Sequence, residues 1–245
     1  MMPSGSEKIL ALHGFLGLAK DWDSIDLPIE GYDLWRDLEK VNGFESWAAH
    51  FNEIVAKRKT KPVLLGYSMG GRLAMQAVLK RPELYRALIV VASNPGLTEE
   101  EDRQRRLALD QKWAERFRNE EWSSLIEAWT AQPVLRAPRQ KSLDAVSLSR
   151  VETEFDREAL ARGLDLWSLA RQPDFREGLS QLRVPALFIS GSEDTKFTEI
   201  MRGLRLTSSQ KLLVIEGAGH RVPWDRPQAF AQAVRDFLAG VPEVC

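Results

Sequence analysis

The chain has 245 residues, enough to bury the core of one medium-sized domain, and its 44% apolar and 28% charged residues exclude an intrinsically disordered protein. The formal net charge of -1 gives no long-range attraction to nucleic acid, and no apolar run approaches the roughly 20 residues that a membrane span needs. A single cysteine, Cys245, excludes an internal disulfide framework, and the first residues lack a secretory signal, so we expect a cytoplasmic protein that binds neither nucleic acid nor a membrane.

Short apolar runs alternate with amphipathic stretches along the chain. The runs that predict buried strands, of which the second is weak, lie at residues 8–12, 32–35, 62–66, 87–92, 185–190 and 211–215. Helical patterns follow the third run at residues 72–79 and close the chain at residues 228–238. Apolar strands separated by helices are typical of a parallel sheet covered on both faces, so the sequence predicts an α/β fold.

This alternation is interrupted between residues 97 and 179. The stretch is rich in Arg, Glu, Gln and Trp, lacks a convincing strand, and predicts several amphipathic helices. Because it lies between the fourth and fifth strands, we expect it above the carboxyl ends of the sheet, where open α/β folds bind ligands. The sequence therefore predicts a core in two parts, residues 1–96 and 180–245, with a helical cap inserted at residues 97–179.

Residues 66–70 read Gly-Tyr-Ser-Met-Gly and match the G-x-S-x-G pattern of a nucleophile elbow. A predicted strand ends at Gly66 and a predicted helix begins near Gly70, which is the strand–turn–helix context that the pattern requires. The glycines allow a sharp turn that leaves the Ser68 hydroxyl exposed above a helix N-terminus, whose dipole favours developing negative charge. We therefore predict Ser68 as the reactive hydroxyl.

A serine hydroxyl needs a base, and the base needs a carboxylate that orients it. In enzymes with this elbow, the acid and then the histidine follow later strands of the sheet. Asp194 follows the fifth predicted strand and His220 follows the sixth. We therefore predict Ser68, Asp194 and His220 as a catalytic triad, with Glu193 as the alternative to Asp194.

The turn after the first strand can complete an oxyanion hole. The backbone N–H groups of Phe15 and Met69 would converge on the oxygen of a polarised carbonyl, where loss of one donor costs about 2.7–4 kcal/mol. We expect His13, in the same turn, to serve structure. His50 lies in a polar helical stretch and is expected at the solvated surface.

Arginines near the predicted site suggest an anionic ligand. Arg72 lies in the first turn of the helix after the elbow, where a cation opposes the helix dipole by roughly 0.3–1 kcal/mol. A bound anion would compensate this cost; contact with solvent or a nearby acid is the alternative. Further cations follow in the predicted cap, namely Arg103, Arg105, Arg106 and Arg150. A subset that faces the sheet would bind a polyanionic substrate, since arginine binds carboxylates bidentately.

Six segments of the chain form a distinctive set: residues 66–72 (Gly-Tyr-Ser-Met-Gly-Gly-Arg), 94–97 (Asn-Pro-Gly-Leu), 103–113, 129–134, 172–174 (Gln-Pro-Asp) and 191–197 (Gly-Ser-Glu-Asp-Thr-Lys-Phe). Together they resemble the MenH family, the 2-succinyl-6-hydroxy-2,4-cyclohexadiene-1-carboxylate synthases of menaquinone biosynthesis. The resemblance extends from about residue 66 to the C-terminus.

This resemblance implies an α/β-hydrolase fold and a lyase that eliminates pyruvate from 2-succinyl-5-enolpyruvyl-6-hydroxy-3-cyclohexene-1-carboxylate, with no metal or organic cofactor. Matching segments imply that Ser68, Asp194 and His220 form the triad and that the backbones of Phe15 and Met69 form the oxyanion hole. They also imply substrate contacts for Tyr67, Arg72, Arg106, Trp129, Arg150 and Lys196, and the surroundings of Arg150 match least well.

The implied chemistry agrees with the residue types. Three substrate carboxylates would explain an arginine-lined cap, and the succinyl ketone oxygen would lie in the oxyanion hole. Ser68, activated by His220, would act as a base rather than as a nucleophile. One departure concerns residues 33–38, which lack the Pro-Gly-His-Gly type of turn usual in the family after the second strand, so one wall of the pocket is expected to differ.

Two alternatives stay open at this stage. A carboxylesterase or C–C bond hydrolase would use Ser68 as a true nucleophile, and a simple esterase has no use for three arginines facing its pocket. A small-molecule receptor on the same fold would need no intact triad. The sequence does not indicate the oligomeric state.

Overall fold

The computed structural model of the chain describes residues 8–135 and 148–242. Its strands are β1 (Ile9–Leu12), β2 (Ile29–Tyr32), β3 (Val63–Tyr67), β4 (Ala87–Val91), β5 (Ala186–Gly191) and β6 (Gln210–Ile215). They form one sheet of six parallel strands in the order β2-β1-β3-β4-β5-β6. The predicted parallel α/β sheet is confirmed.

Helices cover the sheet and fill the connections between the strands. They are α1 (Phe44–Val55), α2 (Met69–Lys80), α3 (Glu100–Asn119), α4 (Trp122–Thr130), α5 (Leu148–Glu154), α6 (Arg157–Leu166), α7 (Arg176–Gln181), α8 (Thr195–Arg202), α9 (Val222–Asp225) and α10 (Pro227–Ala239). Within the described ranges, none of these helices combines the length and the apolar character that crossing a membrane requires.

Both faces of the sheet are buried because successive strand residues point to opposite sides. Leu64 on β3 belongs to one apolar core, together with Phe51 of α1 and Ala74 of α2. Its neighbour Leu65 belongs to the core on the other face, together with Phe230 of α10. Strands that are apolar on both faces leave their carboxyl ends as the free edge at which functional side chains can gather.

The sequence located five strands to within one residue at each end and displaced the second. The run at residues 32–35 predicted that strand, whereas β2 is Ile29–Tyr32. After Tyr32 the Asp33 carboxylate accepts a hydrogen bond from the Trp35 N–H at 3.0 Å, which starts a turn and then a 3₁₀ helix over Trp35–Lys40. This local side-chain contact ends the strand where the apolar pattern continues.

The segment between β4 and β5 carries helices α3 to α7 and, in its described part, no strand. These helices have an apolar core of their own, which includes Trp113 and Phe117 of α3, Leu125 of α4 and Leu160 of α6. They occupy the part of the chain for which a cap was predicted. The domain boundaries at residues 97 and 179 stay a prediction.

Arg103 ties this helical segment to the chain entering and leaving it. Its guanidinium donates to the carbonyl of Gln172 at 2.9 Å, to that of Ala170 at 3.3 Å and to that of Leu97. Gln172 in turn donates through Nε2 to the carbonyl of Asn94 at 3.0 Å. Arg103 therefore links α3 to the backbone on both sides of the helical segment, at residue 97 and at residues 170–172.

Candidate active site

Ser68 lies at the tight turn between β3 and α2. Its backbone φ of 50° and ψ of -111° fall outside the regions that non-glycine residues ordinarily adopt. The Ser68 N–H donates to the carbonyl of Val91 at 2.9 Å, and Ser93 Oγ donates to the carbonyl of Ser68 at 2.8 Å. Contacts with the end of the neighbouring strand β4 thus hold this serine in the strained conformation typical of a nucleophile elbow.

The elbow requires glycine at position 66. A Cβ atom there would lie 2.6 Å from the Cα of Gly71 and would also collide with the carbonyl oxygen of Gly70. We expect Gly66→Ala to lower the free energy of unfolding by about 1–3 kcal/mol or more, because backbone atoms cannot move aside as a side chain can. Urea denaturation of both proteins measures this loss.

Gly203→Ala is the matched control for this prediction. Gly203 has a right-handed backbone with φ of -74°, and the nearest atom to an added Cβ is 3.4 Å away. The control should therefore change stability by less than about 1 kcal/mol. Similar losses in the two variants would contradict the proposed steric cause.

The structure brings Ser68, His220 and Asp194 together at the carboxyl ends of β3, β6 and β5. His220 Nε2 lies 3.1 Å from Ser68 Oγ, and His220 Nδ1 lies 2.7 Å from Asp194 Oδ2. With Nδ1 donating to the carboxylate, Nε2 is left to accept the serine proton. This arrangement can generate a basic or nucleophilic oxygen at Ser68.

Asp194 rather than Glu193 orients the imidazole. Asp194 is buried, caps the N-terminus of α8 and accepts a hydrogen bond from the Phe197 N–H at 3.4 Å. Glu193 is exposed at the surface of the same turn. The His220 ring lies against Phe197, with 4.6 Å between ring centroids, so its orientation is fixed from two sides.

Asp225 supports the loop that carries His220. Its Oδ2 accepts a hydrogen bond from the Gly219 N–H at 2.9 Å, and burial raises the pKa of its carboxyl group above the ordinary value. A carboxyl group with a raised folded-state pKa keeps its proton longer in the folded chain than in the unfolded chain. Its contribution to stability is therefore present at low pH and falls as the pH rises through the raised pKa.

We expect Asp225→Asn to raise the melting temperature at pH 7 by about 1–3 °C, since the amide keeps an acceptor for Gly219 without a charge. The gain should disappear below the ordinary carboxyl pKa of 3.8, where the aspartate is protonated as well. Calorimetry at both pH values tests this, with Asp23→Asn at an exposed position as the control. A gain that is independent of pH would rule out the electrostatic origin.

Two backbone donors face the cavity beside Ser68. Neither the Phe15 N–H nor the Met69 N–H forms a hydrogen bond with any residue that the structure describes. Met69 is the first residue of α2, where helix geometry leaves the N–H without an internal partner. Both N–H groups are therefore available as donors, and their role as an oxyanion hole stays a prediction.

A cavity of about 360 Å³ opens above Ser68, within the usual size range for small-molecule sites of roughly 300–1,000 Å³. Residues of the sheet edge and of the helical segment both line it. Its described lining includes three basic side chains, those of Arg72, Arg106 and Lys196, and one carboxylate, that of Asp110. The cavity therefore carries an excess of positive charge.

Arg72 is 9% exposed and forms no ion pair with a carboxylate of the described residues. Its Nη1 donates to the carbonyl of Trp167 at 2.7 Å and, more weakly, to Gln172 Oε1 at 3.4 Å. Burial, and then the positive charge of Arg106, lowers the pKa of the Arg72 guanidinium. A buried guanidinium without a carboxylate partner is stabilised by an anion that enters the cavity.

Arg106 lines the same cavity. Its Nε donates to both carboxylate oxygens of Asp110, at 2.9 and 2.8 Å, and Asp110 also accepts a hydrogen bond from Ser168 Oγ at 2.7 Å. Nη1 and Nη2 donate to no described residue. The guanidinium is thus held through one edge and offers its other edge to a carboxylate.

The remaining predicted contacts lie around these groups. Trp129 packs against Phe15, with 4.8 Å between ring centroids, and Tyr67 lies 5.6 Å from the His220 ring. The ammonium group of Lys196 is 6.0 Å from the Phe197 ring centroid, at an exposed position. Tyr67, Trp129 and Lys196 all line the cavity.

Arg150 does not reach the described cavity, contrary to the predicted substrate contact. Its Nη2 donates to both carboxylate oxygens of Asp21 at 2.8 Å, and its guanidinium lies 5.8 Å from the Phe155 ring centroid. The ion pair with Asp21, in the segment after β1, therefore holds the Arg150 guanidinium outside the described cavity. Arg105 also points elsewhere and pairs with Glu101 and Asp102 at the surface.

The other two histidines have structural contacts. His13 is buried, and its Nε2 accepts a hydrogen bond from the Leu34 N–H at 3.0 Å, so the expected structural role is confirmed. His50 was expected at the solvated surface, but it is partly buried and lies 3.2 Å from the buried carboxylate of Asp37. That carboxylate draws the imidazole inward.

Several cavity residues were given no site role by the sequence, among them Asp110, Trp113 and Asn94. Asp110 could have been found, because it lies four positions after Arg106 on the same face of α3. Trp113 continues that face by one further turn. Asn94 belongs to the Asn-Pro-Gly-Leu segment that contributed to the family resemblance, but as a residue of the loop after β4 it was given no role. Within residues 8–135 and 148–242, no cluster of three or more His, Cys, Asp or Glu side chains is placed to hold a metal ion.

Comparison with known proteins identifies the family. Residues 9–233 match the Alpha/beta hydrolase family. The 2-succinyl-6-hydroxy-2,4-cyclohexadiene-1-carboxylate synthase of Salmonella agona is 31% identical over 244 residues, which span 96% of this chain and 94% of that protein. The synthase of the same name from Enterobacter sp. is 33% identical over 240 residues, which span 94% of this chain and 91% of the relative.

Solved structures show the same fold. MenH from S. aureus superposes with a TM-score of 0.78 at 18% identity, over 97% of this chain and 95% of its own. A thermophilic esterase from Thermogutta terrifontis, with malate bound, gives a TM-score of 0.71 at 22% identity, over 96% and 90% of the two chains. The sequence relatives carry the finer assignment: the chain is an enzyme of the α/β-hydrolase family and belongs, within it, to the 2-succinyl-6-hydroxy-2,4-cyclohexadiene-1-carboxylate synthase (MenH) family.

Proposed function

We propose that this chain eliminates pyruvate from 2-succinyl-5-enolpyruvyl-6-hydroxy-3-cyclohexene-1-carboxylate and forms 2-succinyl-6-hydroxy-2,4-cyclohexadiene-1-carboxylate. The observation that carries the proposal is a Ser–His–Asp relay beside a cavity whose described lining holds Arg72, Arg106 and Lys196 against the single carboxylate of Asp110. A substrate with three carboxylates matches this excess of positive charge.

The reaction begins at the ring carbon that bears the succinyl group. The ketone oxygen of that group accepts hydrogen bonds from the N–H groups of Phe15 and Met69, which acidifies the adjacent C–H bond. Ser68 Oγ removes this proton while its own proton passes to His220 Nε2. Such general-base transfer contributes about 10²–10⁴-fold to the rate.

Collapse of the resulting enolate completes the elimination. A new ring double bond forms at the carbon that bears the succinyl group, the original ring double bond shifts by one position, and the bond between the ring and the enolpyruvyl oxygen breaks. The proton held by His220 is returned to the leaving oxygen, and the released enol becomes pyruvate. Asp194 stabilises the imidazolium that exists between the two proton transfers. No step forms a bond between Ser68 and the substrate.

A hydrolase is the second candidate, because the 3.1 Å contact between Ser68 Oγ and His220 Nε2 would equally activate a nucleophile. Such an enzyme would cleave an ester or a C–C bond through an acyl-serine intermediate. A receptor without activity finds no support, since the relatives reported above are both named as synthases. We place the reaction in the cytoplasm, as the sequence predicted, and propose a polycarboxylate as the ligand.

Pyruvate release tests the proposal directly. The purified protein is incubated with the enolpyruvyl substrate, and pyruvate is followed by a coupled NADH oxidation while the conjugated diene is followed by its absorbance. One pyruvate should appear for each diene, well above the rate in buffer. A protein that hydrolyses 4-nitrophenyl acetate rapidly but releases no pyruvate would be a hydrolase instead.

A further inference from the structure

Asn94 is a buried polar side chain for which the reaction described above has no use. It lies beyond the carboxyl end of β4, is 6% exposed and lines the cavity. Its Oδ1 accepts a hydrogen bond from the Gly96 N–H at 2.9 Å. Because only the oxygen of the amide can accept, this contact fixes which end of the amide is which and leaves the NH₂ group as a donor on the other side.

The Asn94 NH₂ group has no acceptor among the residues that the structure describes. The amide nitrogen is not sealed inside the protein. The open space that Asn94 lines is the cavity, so the NH₂ group faces it. Buried donors in folded proteins almost always have a partner. An amide donor that faces a cavity and has no acceptor in the described protein is therefore suited to bind an acceptor on a ligand.

Neighbouring contacts place this donor beside the cationic part of the cavity. The carbonyl of Asn94 accepts from Gln172 Nε2 at 3.0 Å, and Gln172 Oε1 accepts from Arg72 Nη1 at 3.4 Å. On the other side, the preceding residue Ser93 donates to the carbonyl of Ser68 at 2.8 Å. Asn94 is thus held between the elbow and Arg72 by hydrogen bonds that do not occupy its NH₂ group.

We propose that the Asn94 amide is a specificity-determining donor that binds one carboxylate of the substrate together with the Arg72 guanidinium. This inference rests on the proposed function, because it takes a polycarboxylate as the ligand. The amide adds a directed hydrogen bond without adding charge. Arg72 supplies the charge, and Asn94 restricts where the carboxylate oxygen can lie.

Asn94→Asp and Asn94→Ala test this role. The aspartate keeps an acceptor for Gly96 but turns the donor into an anionic oxygen, so we expect the KM for the enolpyruvyl substrate to rise at least about 100-fold. The alanine removes the donor and the acceptor for Gly96 without adding charge, and it should raise KM about 10-fold with little change in kcat. Hydrolysis of neutral 4-nitrophenyl acetate should stay within about threefold of wild type in both variants, which shows that the fold and triad are intact.

Gln132→Glu is the control for added charge. Gln132 also lines the cavity, but its Nε2 donates to the carbonyl of Trp129 at 3.1 Å rather than standing free. If the control raises KM as much as Asn94→Asp does, the effect is a general repulsion and the proposal is overturned. Unchanged KM in Asn94→Ala overturns it as well.

Binding of citrate, a tricarboxylate probe, separates this proposal from the proposed reaction. Calorimetry should give a Kd for citrate that is about 10-fold weaker in Asn94→Ala than in wild type. If wild type releases no pyruvate but this difference is found, the reaction is wrong and the carboxylate contact of Asn94 stands. If wild type releases pyruvate and Asn94→Ala binds substrate and citrate normally, the contact is wrong and the reaction stands. A wild-type protein that neither releases pyruvate nor binds citrate overturns both.

Discussion

Replacing Ser68 by alanine is expected to abolish pyruvate release while an anionic product analogue still binds. The hydroxyl is the group within hydrogen-bond reach of His220 Nε2, and no other described side chain donates to or accepts from that nitrogen. Its loss removes the base and leaves Arg72, Arg106 and the backbone donors in place. In serine enzymes with this relay, removing the serine costs about 10⁶-fold in kcat.

The measurement compares steady-state pyruvate release with calorimetric binding of the analogue. Ser93→Ala provides a matched control, because that serine also contacts the elbow but donates its proton to the carbonyl of Ser68 and takes no part in the proposed chemistry. We expect the control to lose less than about 10-fold in kcat. An alanine variant at position 68 that still turns over would remove the hydroxyl from the mechanism, and the imidazole would then be the base.

Replacing Arg106 by alanine should lower kcat/KM for the enolpyruvyl substrate by about two orders of magnitude, the size of one lost charge-assisted contact. This guanidinium lines the cavity, its Nε is held by Asp110, and its terminal nitrogens donate to no described residue. Hydrolysis of a neutral activated ester should barely change, since such a substrate has no carboxylate to bind.

Arg105→Ala is the control for this variant. Arg105 is the adjacent residue on α3, but it is exposed and pairs with Glu101 and Asp102. Surface ion pairs of this kind contribute about 0–1 kcal/mol to stability, so neither assay should change. If Arg106→Ala lowers both activities equally, the arginine supports the fold through Asp110 rather than binding the substrate, and a matching fall in melting temperature would accompany that result.

Much of the sheet and the triad could be predicted because their signals are local. A buried parallel strand is a short apolar run, and five of the six strands end within one residue of the predicted positions. The elbow is likewise a contiguous pattern whose glycines are required by backbone contacts at Gly66. In this fold the acid and then the histidine follow later strands, and this order predicted Asp194 and His220. In the structure His220 contacts Ser68, and Asp194 contacts His220.

What could not be predicted depends on contacts between distant segments. The end of β2 is set by a side-chain hydrogen bond of Asp33 that an apolar pattern does not reveal. Arg150 forms an ion pair with Asp21, which is 129 positions away in the sequence, and therefore does not line the described cavity. The roles of neighbouring arginines on α3 differ for the same reason: Arg103 binds backbone carbonyls, whereas Arg106 faces the cavity.

The division of the cavity between two parts of the chain has a consequence for the evolution of this enzyme. Arg72 lies on α2, one turn after Ser68, whereas Arg106 lies on α3 in the segment between β4 and β5. Mutations on the inward face of α3 can therefore alter which acid is accepted without disturbing proton transfer. A lineage with this scaffold can therefore acquire new substrates by small changes in one helix while the Ser–His–Asp arrangement is kept.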